Sequence, residues 1–133
     1  MSGVISYRDY NGNKYGLNPG DRIEHPTYGG GEIVELNPER ALIKLDKITL
    51  NQKFPSRYIS LTLLDALIMN CGVKGKAEVG DRIVITAPYA SAGQYDIGDI
   101  IIVFSSVEDG IFNSEGDYIF HHEYFILKGY DQK

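Results

Sequence analysis

Tryptophan is absent and cysteine occurs once, as Cys71, in a chain of 133 residues. A single thiol excludes an internal disulfide and a cysteine-based zinc finger. No apolar run approaches the roughly 18 residues a membrane helix needs. Residues 1–8 lack a basic stretch followed by an apolar one, so the expectation is a cytoplasmic protein without a signal peptide and without a membrane partner. The chain is too short for a two-domain cofactor enzyme of the usual kind. It suffices for one domain, or for two of about 55–65 residues, near the lower limit of independent folding. Positive charge is scarce in the second half. Residues 65–133 hold 5 Lys/Arg against 11 Asp/Glu, whereas residues 1–64 hold 8 against 7. A duplex-binding domain needs a basic face, which the second half does not supply. Its acidity suits solubility, or a basic protein surface as partner.

What the chain has is repetition. Gly20-Asp21-Arg22-Ile23 recurs as Gly80-Asp81-Arg82-Ile83. Arg57-Tyr58-Ile59-Ser60-Leu61 and Glu123-Tyr124-Phe125-Ile126-Leu127 close the two stretches in the same order. Two anchors in one order indicate two units of shared architecture.

Within the first unit, strands are expected over residues 21–24, 32–36, 41–45 and 48–54, with a closing segment over 56–61. Gly29-Gly30-Gly31 reads as a turn or bulge, and Asn37-Pro38-Glu39-Arg40 as a tight turn. In the second unit, strands are expected over 81–86, 98–104, 118–120 and 124–127. The run 98–104 is the most apolar of the chain and reads as buried on both faces. Asp109-Gly110 marks a hairpin turn before Ile111-Phe112, and residues 87–97 a loop. Only residues 62–72 read as a helix, with Thr62 as its cap and Gly72 as its stop. Residues 73–79 read as a mobile connector. The expected core is Ile23, Ile33, Val34, Leu42, Ile43 and Leu45 in unit one, and Ile83, Ile85, Ile100, Ile102, Phe112, Ile119 and Phe125 in unit two.

These short strands at close spacing predict a mainly β fold of two tandem small barrels joined by a short helix. The boundaries are 1–16, a tail or added hairpin; 17–61, the first barrel; 62–77, the helical linker; 78–128, the second barrel; and 129–133, a fraying tail. The segment Gly20-Asp21-Arg22-Ile23-Glu24-His25-Pro26-Thr27-Tyr28-Gly29-Gly30-Gly31-Glu32-Ile33 resembles the opening of the Tudor-like domain at the C-terminus of UvrD/PcrA-type helicases. It is also similar to the RNA-polymerase-interacting domain of CarD-type regulators, whose downstream segment Lys53-Phe54-Pro55-Ser56-Arg57-Tyr58-Ile59-Ser60-Leu61 resembles. Gly80-Asp81-Arg82-Ile83, Ile97-Gly98-Asp99-Ile100 and His121-His122-Glu123-Tyr124-Phe125 resemble small SH3-like domains of phage and mobile-element proteins. The resemblance implies SH3-like, Tudor-like barrels and a docking role on bacterial transcription or DNA-processing machinery, RNA polymerase first.

Signatures of chemistry are sparse. Gly29-Gly30-Gly31 lacks the Gly-Lys-Ser/Thr ending of a phosphate loop. Asp96, Asp99, Asp109 and Asp117 lack the spacing of a calcium loop. On a strand, His121 and Glu123 would share a face and His122 would lie on the other, which is too few ligands for zinc. These histidines read as surface residues leading into a strand. No catalytic residue, metal or cofactor is expected, and chelators should leave the fold intact.

Tyrosine is abundant, with 10 residues, and pairs a large contact area with a polar tip. The expected contact surface is Tyr28, Lys53, Phe54, Arg57 and Tyr58 on an edge and the closing segment of unit one. Tyr89 and Tyr95 on the loop of unit two complete it. For Phe54 and Tyr58 the competing reading is core packing, and for the loop tyrosines rim packing. The functional expectation is a non-enzymatic protein-binding module, of a size that suits a small phage or mobile-element modulator of a host complex. The alternative is a direct nucleic-acid-binding protein, with Arg22, Arg40, Lys44, Lys47, Lys53 and Arg57 supplying the contact. Glu24, Glu32, Glu35 and Asp46 interleave with those cations.

Overall fold

The computed structural model describes residues 15–48, 56–89 and 93–130 and is mainly β. It divides into two compact units, residues 1–70 with 132–133, and residues 71–131.

The described part of unit one is an antiparallel meander of β1 (Arg22–His25), β2 (Gly29–Leu36), β3 (Arg40–Leu45) and β4 (Tyr58–Thr62), paired in that order. Ile33, Ile43 and Ile59 stand in register across three strands. Alternation along β3 buries Ala41, Ile43 and Leu45, as period-two patterning requires. Two expectations fail on β2. Gly29-Gly30-Gly31 is strand and not turn: the three glycines pair with His25, Glu24 and Ile23. The reversal comes before them, at Thr27-Tyr28, where the His25 Nδ1 accepts the N–H groups of both residues at 3.0 and 3.2 Å. Val34 faces outward because the register slips between Ile33 and Glu35. That bulge inserts one residue, so the buried phase passes from Ile33 to Leu36 and Val34 is left exposed. Leu42 is half-buried.

The helix Leu63–Cys71 follows β4 directly. Its N-cap is Thr62, whose hydroxyl accepts the Asp65 N–H at 3.1 Å, satisfying one of the donors that a helix start leaves orphaned. Leu63, Ala66 and Leu67 are its buried residues. Gly72 does not simply stop the helix; it opens the next strand.

Unit two contains two sheets. One has the order β5 (Gly72–Val73), β11 (Tyr124–Leu127), β6 (Arg82–Ile85), β7 (Ile100–Ile102). The other has the order β10 (Tyr118–Phe120), β9 (Gly110–Phe112), β8 (Ser105–Ser106). A single cluster of Ala77, Ile83, Ile85, Tyr95, Val103, Ile111, Ile119, Tyr124 and Ile126 is buried among these elements. The run 98–104 is not buried on both faces. Ile101 packs against the cluster and Val103 is buried, but Ile102 is 54% exposed and Phe104 65%. Ile100, Phe112 and Phe125 are half-buried. The connector 73–79 is tied down at both ends: Val73 pairs with Ile126, the Ala77 N–H donates to the Tyr124 hydroxyl, and the Ala77 carbonyl accepts from the Ser106 hydroxyl at 2.6 Å. At Gly110 the approach of the Ile119 carbonyl and the Tyr118 ring leaves no room for a Cβ, so only glycine fits that hairpin.

Three of the four Gly-Asp pairs make the same turn; the fourth, Gly116-Asp117, does not, its Gly116 N–H donating to the Asn113 carbonyl and its Asp117 N–H to the Asn113 side chain. At Asn18-Pro19-Gly20-Asp21, Glu78-Val79-Gly80-Asp81 and Asp96-Ile97-Gly98-Asp99, the aspartate N–H donates back to the carbonyl of the first residue. The aspartate carboxylate accepts that residue's N–H at 2.9, 2.9 and 2.8 Å. The glycines have φ of 98, 94 and 93°, the positive angle that a type II turn demands at its third position. Each turn also docks on one partner residue. Gly20 donates to the Ile33 carbonyl while the Ile33 N–H donates to Asp21, and Gly80–Val103–Asp81 and Gly98–Ile85–Asp99 repeat the arrangement. An added Cβ at Gly80 would meet nothing within 4 Å, so the requirement is purely one of backbone angle. Gly80→Ala is expected to cost about 1–3 kcal/mol and Asp81→Ala about 1 kcal/mol in urea unfolding. Equal stability of wild type and both variants would refute the assignment.

Candidate binding surfaces

Of the sequence-predicted contact residues, Tyr28, Arg57, Tyr58, Tyr89 and Tyr95 fall among the described residues. Lys53 and Phe54 lie outside the described residues, as does most of the expected strand 48–54. Tyr28 is half-buried at the β1–β2 reversal, with its ring stacked on His25 at 4.7 Å. Arg57 and Tyr58 are exposed on and beside β4, which is the last strand of its sheet among the described residues. Tyr58 is 49% exposed, so its side chain is not core. Tyr89 is 76% exposed. Tyr95, by contrast, is 2% exposed and belongs to the interior of unit two, which corrects its placement on a contact surface.

The β4 edge of unit one is occupied by its own side chains. The Tyr58 N–H donates to the Ser56 hydroxyl at 3.0 Å, and that hydroxyl lies 3.1 Å from the Tyr58 carbonyl. Arg40 donates to the Ser60 hydroxyl at 2.6 Å and to the Ser60 carbonyl at 3.0 Å. On the opposite edge, Asn70 donates to the Arg22 carbonyl at 2.6 Å. Side chains that take up edge groups in this way blunt pairing with another chain. The arginines of unit one are engaged too. Arg22 holds Asp46 through two contacts of 3.1 and 2.6 Å, and Arg57 donates to the Asp46 carbonyl at 2.9 Å. A shallow groove of about 220 Å³ lined by Glu32, Lys44, Leu45, Asp46 and Arg57 is therefore of mixed charge.

The hydrogen bond from Arg22 holds the Asp46 carboxyl below the ordinary carboxylate range and raises the Arg22 guanidinium. A depressed carboxyl contributes stability above its unfolded value, near 3.9, and loses it as the pH falls through the folded value. The pair is 58% and 50% exposed, so the contribution is small and weakened by salt. Carbon-detected NMR titration should find Asp46 titrating below about 3.9, and Arg22→Gln should move it upward toward that value. An unmoved midpoint would contradict the assignment.

The sequence His121-His122-Glu123 forms a 3₁₀ turn and does not lead into the strand as extended chain. Glu123 is fully buried. Its Oε1 accepts the Tyr89 N–H at 2.5 Å and the Tyr95 hydroxyl at 2.7 Å, and its Oε2 accepts the Phe120 N–H at 2.7 Å. Its own carbonyl accepts the N–H groups of Thr86 and Ala87. Glu123 thus pins the loop after β6 to the end of β10. His121 does a separate job. Its Nε2 faces the carbonyls of Val107 and Glu108 at 3.1 and 3.0 Å. Carbonyls only accept, so Nε2 carries the proton, and Nδ1 accepts from the Tyr124 hydroxyl. That hydroxyl accepts in turn from the Ala77 N–H at 2.9 Å. Burial pushes the Tyr124 phenol above its ordinary value, against the pull of the Ala77 N–H. The described residues contain no group of three or more His, Cys, Asp or Glu able to hold a metal ion.

This turn also organises a row of rings. Phe112 and Tyr118 lie 5.0 Å apart, Tyr118 and Phe120 4.8 Å, and Phe120 and His122 stack at 5.5 Å with planes 8° apart. Tyr89 meets Phe120 and His122 edge-on, each at 5.8 Å. Phe112, Tyr118 and Phe120 are half-buried, while Tyr89 and His122 are exposed. The row stands in a unit with 4 Lys/Arg against 10 Asp/Glu. Sequence reasoning singled out Tyr89 but missed the row, because its members come from three segments.

Comparison with protein-family models, curated proteins and solved structures finds no match for the chain. No helix among the described residues is long and apolar enough to cross a membrane.

Proposed function

We propose that the chain is a non-enzymatic protein-binding module of two tandem SH3-like, Tudor-like units, and that its acidic unit receives a basic protein segment. The observation that carries this reading is the row Phe112, Tyr118, Phe120, His122 and Tyr89 in a unit of net charge −6. Partly exposed rings attract Arg and Lys through their faces, and surrounding acid raises the local concentration of cations. The resemblance of unit one to polymerase-docking and helicase-associated barrels supports bacterial transcription or DNA-processing machinery as the setting, with RNA polymerase first. Small β barrels host many functions, so the partner must be found by experiment. The engaged state of Arg22, Arg40 and Arg57 weighs against nucleic acid as the direct ligand.

The test is a pull-down from bacterial lysate with and without nuclease, followed by mass spectrometry. A partner retained after nuclease and lost with Tyr89→Ala, whose side chain is exposed, supports the reading. Recovery only with intact nucleic acid would replace it by direct nucleic-acid binding through unit one.

A further inference from the structure

The free edge of β7 is the second feature of unit two that the fold leaves unexplained. Toward β6, the backbone bonds of this segment are made by Asp99, which accepts from Ile85, and by Val103, which exchanges bonds with the Gly80-Asp81 turn. Ile101 stands opposite Ile83 between them. In an antiparallel ladder, alternate residues point to alternate sides. The N–H and C=O groups of Ile100 and Ile102 therefore point away from β6. Among the described residues no strand lies on that side of β7. The next stretch of the same chain is paired there: Phe104 donates to the Phe112 carbonyl, and β8 pairs with β9. After Phe112 the chain turns off through Asn113 and Ser114. It leaves a groove of about 410 Å³ lined by residues 100–104, Asn113 and Ser114. That volume falls within the roughly 300–1,000 Å³ of ordinary ligand sites.

Unlike the β4 edge of unit one, this edge carries no side-chain cap among the described residues, and exposed apolar side chains at Ile102 and Phe104 flank it. We infer that β7 is a strand-addition site, which takes an extended segment of a partner protein in line with β9. The segment carries apolar residues alternating with Lys or Arg. Backbone groups of Ile100 and Ile102 supply the pairing, and the groove takes alternate apolar side chains. The charge of the occupant follows from the unit. Asp99 precedes Ile100, Glu115 follows Ser114, and the unit as a whole carries −6; against this, Arg82 of β6 stands directly opposite Ile102. A second copy of the chain would bring two such acidic units together, a like-charge juxtaposition that opposes association. This inference rests on the protein-binding reading above and adds the mode of binding and the chemistry of the partner segment.

The probe is a fluorescein-labelled peptide of alternating Lys and Val, seven residues long with capped ends, titrated with the full chain and followed by anisotropy. Expected results are binding of this peptide, no binding of the Glu-for-Lys version, and about tenfold weaker binding by Ile102→Lys. Ile102 is exposed, so this variant should keep the wild-type circular dichroism. Two further peptides, N-methylated at every Val or at every Lys, lose donors along one side only. One of them should bind and the other should not. Equal behaviour of the two methylated peptides would overturn strand addition, as would full affinity of a folded Ile102→Lys chain. A wild-type dimer in sedimentation that Ile102→Lys dissolves would assign the edge to a second copy instead. The two readings fail separately. A lysate partner captured equally by wild type and Ile102→Lys, with no peptide binding, removes the β7 site and leaves protein binding standing. Peptide binding at β7 with no nuclease-resistant partner in lysate does the reverse.

Discussion

Glu123→Ala is expected to destabilise the second unit by about 3–5 kcal/mol in urea or thermal unfolding. The side chain is fully buried and accepts three hydrogen bonds, from Tyr89, Tyr95 and Phe120. Truncation removes that acceptor from two part-buried N–H groups and from the Tyr95 hydroxyl, which retains the Tyr118 carbonyl at 3.2 Å, and each donor left unsatisfied costs about 1–3 kcal/mol. Glu123→Gln keeps the shape but presents an amide NH₂ where one carboxyl oxygen had accepted. Its cost is expected to be about 2–3 kcal/mol, from the clash of donor against donor. Because Glu123 holds the Tyr89 backbone, both variants should also disturb the ring row, seen as altered shifts of the Phe120 and His122 ring protons. Stability within about 0.5 kcal/mol of wild type for both variants would show that the network contributes nothing.

The second large effect separates two isoleucines on adjacent strands. Ile83→Ala should cost about 2–5 kcal/mol, the range for deleting a fully buried aliphatic side chain and leaving its cavity. Ile102→Ala should cost less than about 0.5 kcal/mol, the range of surface substitutions. Ile83 is completely buried in the cluster of unit two, while Ile102 is half in solvent on the free edge. The comparison is a difference in denaturation midpoint at constant slope. The reverse order would mean that the faces of β6 and β7 have been exchanged.

Ile102 also shows what the sequence could and could not tell. Hydrophobicity identified a strand at Ile100-Ile101-Ile102. It could not show that this strand lies at an edge, because edge and centre differ only in what stands beside them. Val34 failed for a local reason: a bulge shifts phase by one residue, and the alternating pattern through Glu32, Val34 and Leu36 does not announce it. The mainly β character, the Asn37–Arg40 turn and the Thr62 cap were legible, and the Asp109-Gly110 hairpin to within one residue, since Val107 and Gly110 close the turn and Gly110 opens β9. Each rests on contacts within about five residues. The buried Glu123 was not legible, because its partners Tyr89 and Tyr95 lie 34 and 28 residues away. His121 and Glu123 looked like a sparse ligand pair and are two separate structural fasteners. Gly20-Asp21 and Gly80-Asp81 were visible as a repeat, and Gly98-Asp99 was not read as part of it. Only the hydrogen bonds showed that all three are one turn.

The position of β11 bears on how the two units come into being during synthesis. In unit one every described strand pairs with its sequence neighbour, so the meander can zip up as it emerges, through contacts of low sequence separation. Unit two has the opposite order of events. Its last strand lies inside its sheet, between β5 and β6, and Leu127 must reach back to Gly72 while Tyr124 reaches Ile85. Until that segment has left the ribosome, β5 and β6 lack the strand that lies between them, and the apolar faces of Ile83 and Ile85 lack Tyr124. The first unit can thus fold while the second still waits for its interior strand, and during that interval the β6 edge that β11 will cover is open to chaperones and to other nascent chains.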